Sequence, residues 1–176
     1  MKWGTWFRLF KICTYASLGS TSLLFIFFKP TLSAFIESMG WLMLLALLEY
    51  ETTATKWKHP KMLGYCTLLS YAIIFYALYN YIREYQTLDI VNCSSWLCVC
   101  FVLAAELYWH HSRNFTQNIL MYSVKSLLYS IIIVCAVLWT IEATTWLDAL
   151  DAWLWILCFF AIELNMVHKN HSYNRA

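Results

Sequence analysis

The chain has 176 residues, of which 61% are hydrophobic and 12% charged, about half the charged fraction of an ordinary water-soluble domain. Four Gly and two Pro argue against a loop-rich or all-β design, and an aromatic share of 19% fits rings that gather at bilayer interfaces. The net charge of +2 is spatially sorted and leaves no basic face with interleaved aromatics, which excludes nucleic acid as a partner; the chain reads as an integral membrane protein with the lipid bilayer as its solvent.

In chain order, Lys2, Arg8 and Lys11 precede an apolar run in the manner of a signal peptide. The stretch 15–21 (YASLGST) is too polar for a strong apolar core, and no small-x-small site precedes a soluble domain, so the segment is expected to be an uncleaved start-transfer helix. The first span is expected at 9–28. Its residues Thr14, Tyr15, Ser17, Gly19, Ser20, Thr21 and Ser22 let helices approach closely and bond across an interface, a reading preferred to a hydroxyl-lined pore.

The second span, 32–52, carries Glu37, Trp41, Glu49 and Glu51. The charge-free stretch 38–48 is too short to lie alone in lipid, so one face of this helix is expected against protein or water. Glu49 and Glu51 point about 200° apart, so only one is expected to face a bundle interior. The third span, 62–82, is rich in tyrosine, and Tyr71 and Tyr76 lie deep enough to need hydroxyl partners. The remaining spans are expected at 89–109, 119–141 and 147–167. Lys125 lies about two turns into the fifth, where it either snorkels or neutralises an inner glutamate across a helix interface.

Each segment reaches the ~17–25 residues needed to cross an apolar core. Helix is the expected state, because unpaired strands would leave backbone groups unsatisfied in lipid, and the run 130–138 (SIIIVCAVL) lacks the alternation of a barrel strand. Basic residues alternate between sides: Lys2, Arg8 and Lys11, then Lys56, Lys58 and Lys61, then Arg113, then Lys169 and Arg175, against Lys29 and Arg83 opposite. By the positive-inside rule both termini face the cytoplasm, with a bacterial inner membrane as the expected location.

A pattern recurs at Trp41 and Glu51, Trp96 and Glu106, and Trp153 and Glu163. Residues 67–75 (TLLSYAIIF) and 126–134 (SLLYSIIIV) also match without gaps. The expected fold is therefore all-α: one polytopic membrane domain over 1–176 with six transmembrane helices, arranged as three tandem helical hairpins at 9–52, 62–109 and 119–167.

Ten helical residues span ~15 Å, which puts Glu51, Glu106 and Glu163 in the inner third of the membrane. They are the candidate transport or ion-binding residues, with Glu37 and Lys125 assisting. The competing reading pairs each with a nearby base: Glu51 with Lys56, Glu106 with His110 or Arg113, and Glu163 with His168 or Lys169. The seven cysteines fall mostly in apolar stretches and behave as small hydrophobes rather than a disulfide framework. No haem ligand pair, zinc spacing, phosphate loop or nucleophile elbow is written in the chain, so no cofactor or metal is expected and enzymatic activity is disfavoured. The leading functional expectation is a small permease or channel for protons, cations or a small solute. Behind it stands a non-catalytic subunit or assembly factor of a larger membrane complex, whose partners would be other membrane subunits. A membrane sensor and an intramembrane enzyme follow.

Overall fold

The computed structural model describes residues 3–28, 32–53, 60–108, 115–142 and 146–173. Every long element among them is an α-helix: α1 (Trp3–Phe28), α2 (Leu32–Thr53), α3 (Pro60–Arg83), α4 (Thr87–Tyr108), α5 (Phe115–Glu142) and α6 (Trp146–Tyr173). Four are long and apolar enough to cross a membrane, over Lys61–Arg83, Thr87–Glu106, Gln117–Glu142 and Ala149–Val167. These four spans make the chain an all-helical membrane protein. Over their described residues α1 and α2 do not reach the same standard, although six spans are expected from the sequence. Arg8, Lys11 and a run of hydroxyls interrupt the first, and Glu37, Glu49 and Glu51 the second.

The chain divides into two compact units, Met1–Ala77 with Thr145–Ala176, and Leu78–Thr144. In the first, α1, α2 and α6 pack on one another. Lys11 meets Asn165 and Thr21 meets Asp151, so α1 runs antiparallel to α6. Glu49 meets Asn165, and Trp41 lies edge-on to Trp155 at 6.1 Å, so α2 runs parallel to it. Leu18, Leu44, Cys158, Phe159 and Ile162 are buried in this unit. Part of α3 joins at Gly40, where a Cβ would lie 2.7 Å from Ile73 Cγ2 and 3.1 Å from Ile73 Cβ. Only glycine lets the two backbones come this close.

In the second unit α4 packs antiparallel on α5, with Trp96 edge-on to Tyr129 at 6.4 Å. Val99, Cys100, Leu103, Ile132, Cys135 and Ala136 are buried there. This pair straddles the boundary between the expected hairpins at 62–109 and 119–167. The turn before α4 is short because α3 closes on itself. Tyr85 takes φ 57°, its N–H donates to the Ile82 carbonyl at 3.3 Å, and the Gln86 N–H donates to the Tyr81 carbonyl at 3.0 Å. That is a Schellman closure with tyrosine where glycine is usual. The Ile90 N–H then donates to the Gln86 carbonyl at 2.9 Å, and Asp89 in the first turn of α4 complements the helix dipole.

Hydroxyl side chains inside the helices bond back along their own backbone. Thr14 donates to the Phe10 carbonyl at 2.8 Å, Ser22 to Leu18 at 3.0 Å, Ser70 to Cys66 at 3.0 Å and Ser95 to Val91 at 2.7 Å. Each hydroxyl is thereby satisfied without water. Thr14, Thr21 and Ser22 are buried, which places this part of the hydroxyl run of α1 against protein rather than along a channel wall.

Candidate functional site

Among the described residues, a charge cluster stands within the helices of each unit. In the first, Lys11 Nζ lies 2.5 Å from Glu49 Oε1. The second carboxylate oxygen, Oε2, accepts from the Tyr15 hydroxyl at 2.9 Å and from Asn165 Nδ2 at 2.7 Å. Lys11 also donates to Asn165 Oδ1 at 3.4 Å. Lys11 and Tyr15 are one turn apart and so share a face of α1. That face meets the end of α2 because the two helices run antiparallel, and α6 closes the third side. Glu49 is thus a hub that ties three helices together, and it accepts bonds from each of its two neighbours.

In the second unit Lys125 Nζ donates to Glu106 Oε2 at 2.7 Å across the α4 and α5 interface. The two side chains are 8% and 10% exposed. Lys125 therefore reaches an inner glutamate and does not snorkel. The clusters share a design: Lys11 Nζ stands 5.2 Å from the centre of the Phe7 ring, and Lys125 Nζ stands 5.5 Å from that of Tyr122. Each ammonium sits between a carboxylate on an antiparallel neighbour and an aromatic ring one turn back on its own helix. A carboxylate matched in this way holds its charge in a low-dielectric setting at far less expense than a lone one.

A third polar contact lies farther along α6. Asp151 accepts from Thr21 at 2.9 Å through Oδ1 and from the Trp155 indole at 3.0 Å through Oδ2. Asp151, Asn165, Tyr15 and Lys11 are not among the site residues expected from the sequence. A signal was present: a base early in one span and an acid late in the next stand at the same level of a hairpin.

Of the residues expected to form a site, Glu51 and Glu106 are buried, while Glu37 and Glu163 are half-buried. Glu51 and Glu163 belong to the first unit and Glu106 to the second. The expectation that only one of Glu49 and Glu51 could face a packed interior is corrected. Glu51 is 8% exposed, and Glu49 bonds to α1 and α6. Glu49, its side chain 20% exposed, is part-buried, because α2 meets α1 on one side and α6 on another. The bases Lys56, Lys58 and Arg113 and the histidines His59, His110 and His111 lie outside the described residues, as do the side chains of His168 and Lys169. No group of three His, Cys, Asp or Glu among the described residues is placed to hold a metal ion. Comparisons with protein-family models, with curated proteins and with solved structures find no match to this chain.

Proposed function

We propose that this protein is a non-catalytic subunit or assembly factor of a larger membrane complex, crossing the bilayer six times with both termini on one side. The observation that carries this reading is the state of its acids. Glu49 and Glu106 each have a lysine within 2.5 to 2.7 Å, so neither presents a free negative charge to a passing cation. A carrier or channel works through groups that exchange partners. These groups have fixed partners that lock helices together.

The exposed side of α3 supports the same reading. Met62, Tyr65, Leu69 and Tyr76 lie on one helical stripe and all are exposed. Tyr76 stands seven residues before the end of α3, ~10 Å inside it. A phenol at that depth needs a hydrogen-bond acceptor that lipid tails do not supply. A transmembrane helix of another protein, carrying an acceptor at that level, would satisfy it.

A second reading, transport of protons or cations, draws on the burial of Glu51 and Glu106. One preparation tests both. Protein purified in mild detergent is expected to bring stoichiometric partner chains, and Tyr76→Phe is expected to reduce their recovery. The same protein in liposomes is expected to show no pH- or ion-driven flux. A solitary chain whose flux disappears in Glu106→Gln replaces the subunit reading with the transporter.

A further inference from the structure

The polar groups of the first two helices are matched by the last helix in the chain. Lys11 and Thr21, at two levels of α1, meet Asn165 and Asp151, at two levels of α6. Glu49 of α2 takes one of its bonds from Asn165, and Trp41 of α2 packs on Trp155. Asp151, Leu154, Cys158, Ala161, Ile162 and Asn165 recur at three- and four-residue steps and form one face of α6. Leu154, Cys158, Ala161 and Ile162 are all buried.

The first two helices are also the two that, over their described residues, are not apolar enough to count among the candidate spans. The third and fourth candidate spans in chain order include α5 and α6, and α6 is made only after α1 and α2 have left the synthetic machinery. Until then Glu49 has Lys11 and Tyr15 of α1, but its hydrogen bond from Asn165 and the packing of α2 at Trp41 are incomplete. A charged residue with unmet bonds is pulled toward the interface rather than held at depth.

We propose that α6 is the clasp that holds α1 and α2 across the bilayer: the first two helices take up their full crossing only when the last helix supplies Asp151, Asn165 and the buried stripe between them. The inference rests on the six-crossing reading above, and it adds an order of events. The N-terminal hairpin is completed from the C-terminal end, so the first unit closes last although it begins first.

The test uses the full chain in right-side-out vesicles with a membrane-impermeant maleimide. Cys13 and Cys98, the two exposed thiols, are replaced by Ala. A single thiol is introduced at Thr31→Cys, in the connection between α1 and α2, or at Gln86→Cys, in the turn between α3 and α4. In the otherwise native chain both positions are expected to label from the same side. In Asp151→Leu with Asn165→Leu, and separately in Ala161→Trp, labelling at position 31 is expected to fall about tenfold while labelling at position 86 is kept. Undiminished labelling at position 31 in both variants overturns the clasp and leaves the six crossings intact. Loss at both positions also overturns it, because α6 would then act on the whole chain. If position 31 labels from neither side or from the wrong side in the native chain, the six-crossing reading itself fails and takes the clasp with it.

Discussion

At the scale of single residues, the decisive fact is that a charge in a membrane helix is tolerated when a specific atom answers it. Lys125 and Glu106 are each about nine-tenths buried and 2.7 Å apart. Removing one takes from the other the opposite charge beside it, a loss of ~3–5 kcal/mol for buried pairs, whereas replacing both by apolar groups of similar size is close to neutral. Glu106→Leu alone and Lys125→Leu alone are therefore expected to destabilise the protein in detergent by about 3 kcal/mol each, and the double variant by less than about 1 kcal/mol. Denaturant titration of the four proteins measures the coupling. Additive losses would mean that the two groups do not depend on each other. At the Lys11 and Glu49 pair, Tyr15 and Asn165 also bond to Glu49. Replacing only Lys11 and Glu49 strands two further polar groups, so the apolar double substitution that is mild at Lys125 and Glu106 is expected to be harsher there.

At the scale of elements, the helices were legible in the sequence and most of their contacts were not. Six apolar segments separated by polar breaks define six helices, and the observed bounds lie within a few residues of the expected ones except where α1, α5 and α6 run on by a turn or more. Length and hydropathy fix a helix, because lipid leaves the backbone no other way to satisfy itself. Which helix meets which is fixed by side chains that look ordinary in sequence. Among the described glycines Gly40 stands where a Cβ would strike Ile73, whereas Gly19 and Gly64 have nothing within 4 Å of that position. Ile73 is β-branched and stiff, so it yields poorly. Gly40→Ala is expected to destabilise by ~1–3 kcal/mol through overpacking. Gly19→Ala and Gly64→Ala are expected to stabilise by ~0.5–1 kcal/mol through helix propensity. Thermal unfolding in a single detergent separates the three, and equal shifts at all three positions would deny the close approach of α2 and α3. The Trp and Glu positions from which a repeat was expected differ in structure: Trp96 is buried whereas Trp153 is exposed, and Glu106 is buried whereas Glu163 is half-buried.

At the scale of the whole molecule, the directions of the helices carry information that hydropathy alone lacks. Within the first unit α1 opposes α2 and α6, and within the second α4 opposes α5. Those directions are what results when each helix crosses the bilayer in the sense opposite to the one before it. Four spans are apolar enough to be recognised singly. The other two helices bond part of their polarity to each other and to α6. Lys11 and Glu49 count against crossing when summed as free charges, and they count much less as a pair at 2.5 Å. If both helices cross, the total is even and a tag at either end of this chain is shielded on the same side of the membrane. Tags at Met1 and Ala176 are therefore expected to be protected from protease together in right-side-out vesicles and to be cut together after permeabilisation. One end protected and the other cut would mean an odd number of crossings, so that α1 and α2 could not both cross together with the four candidate spans.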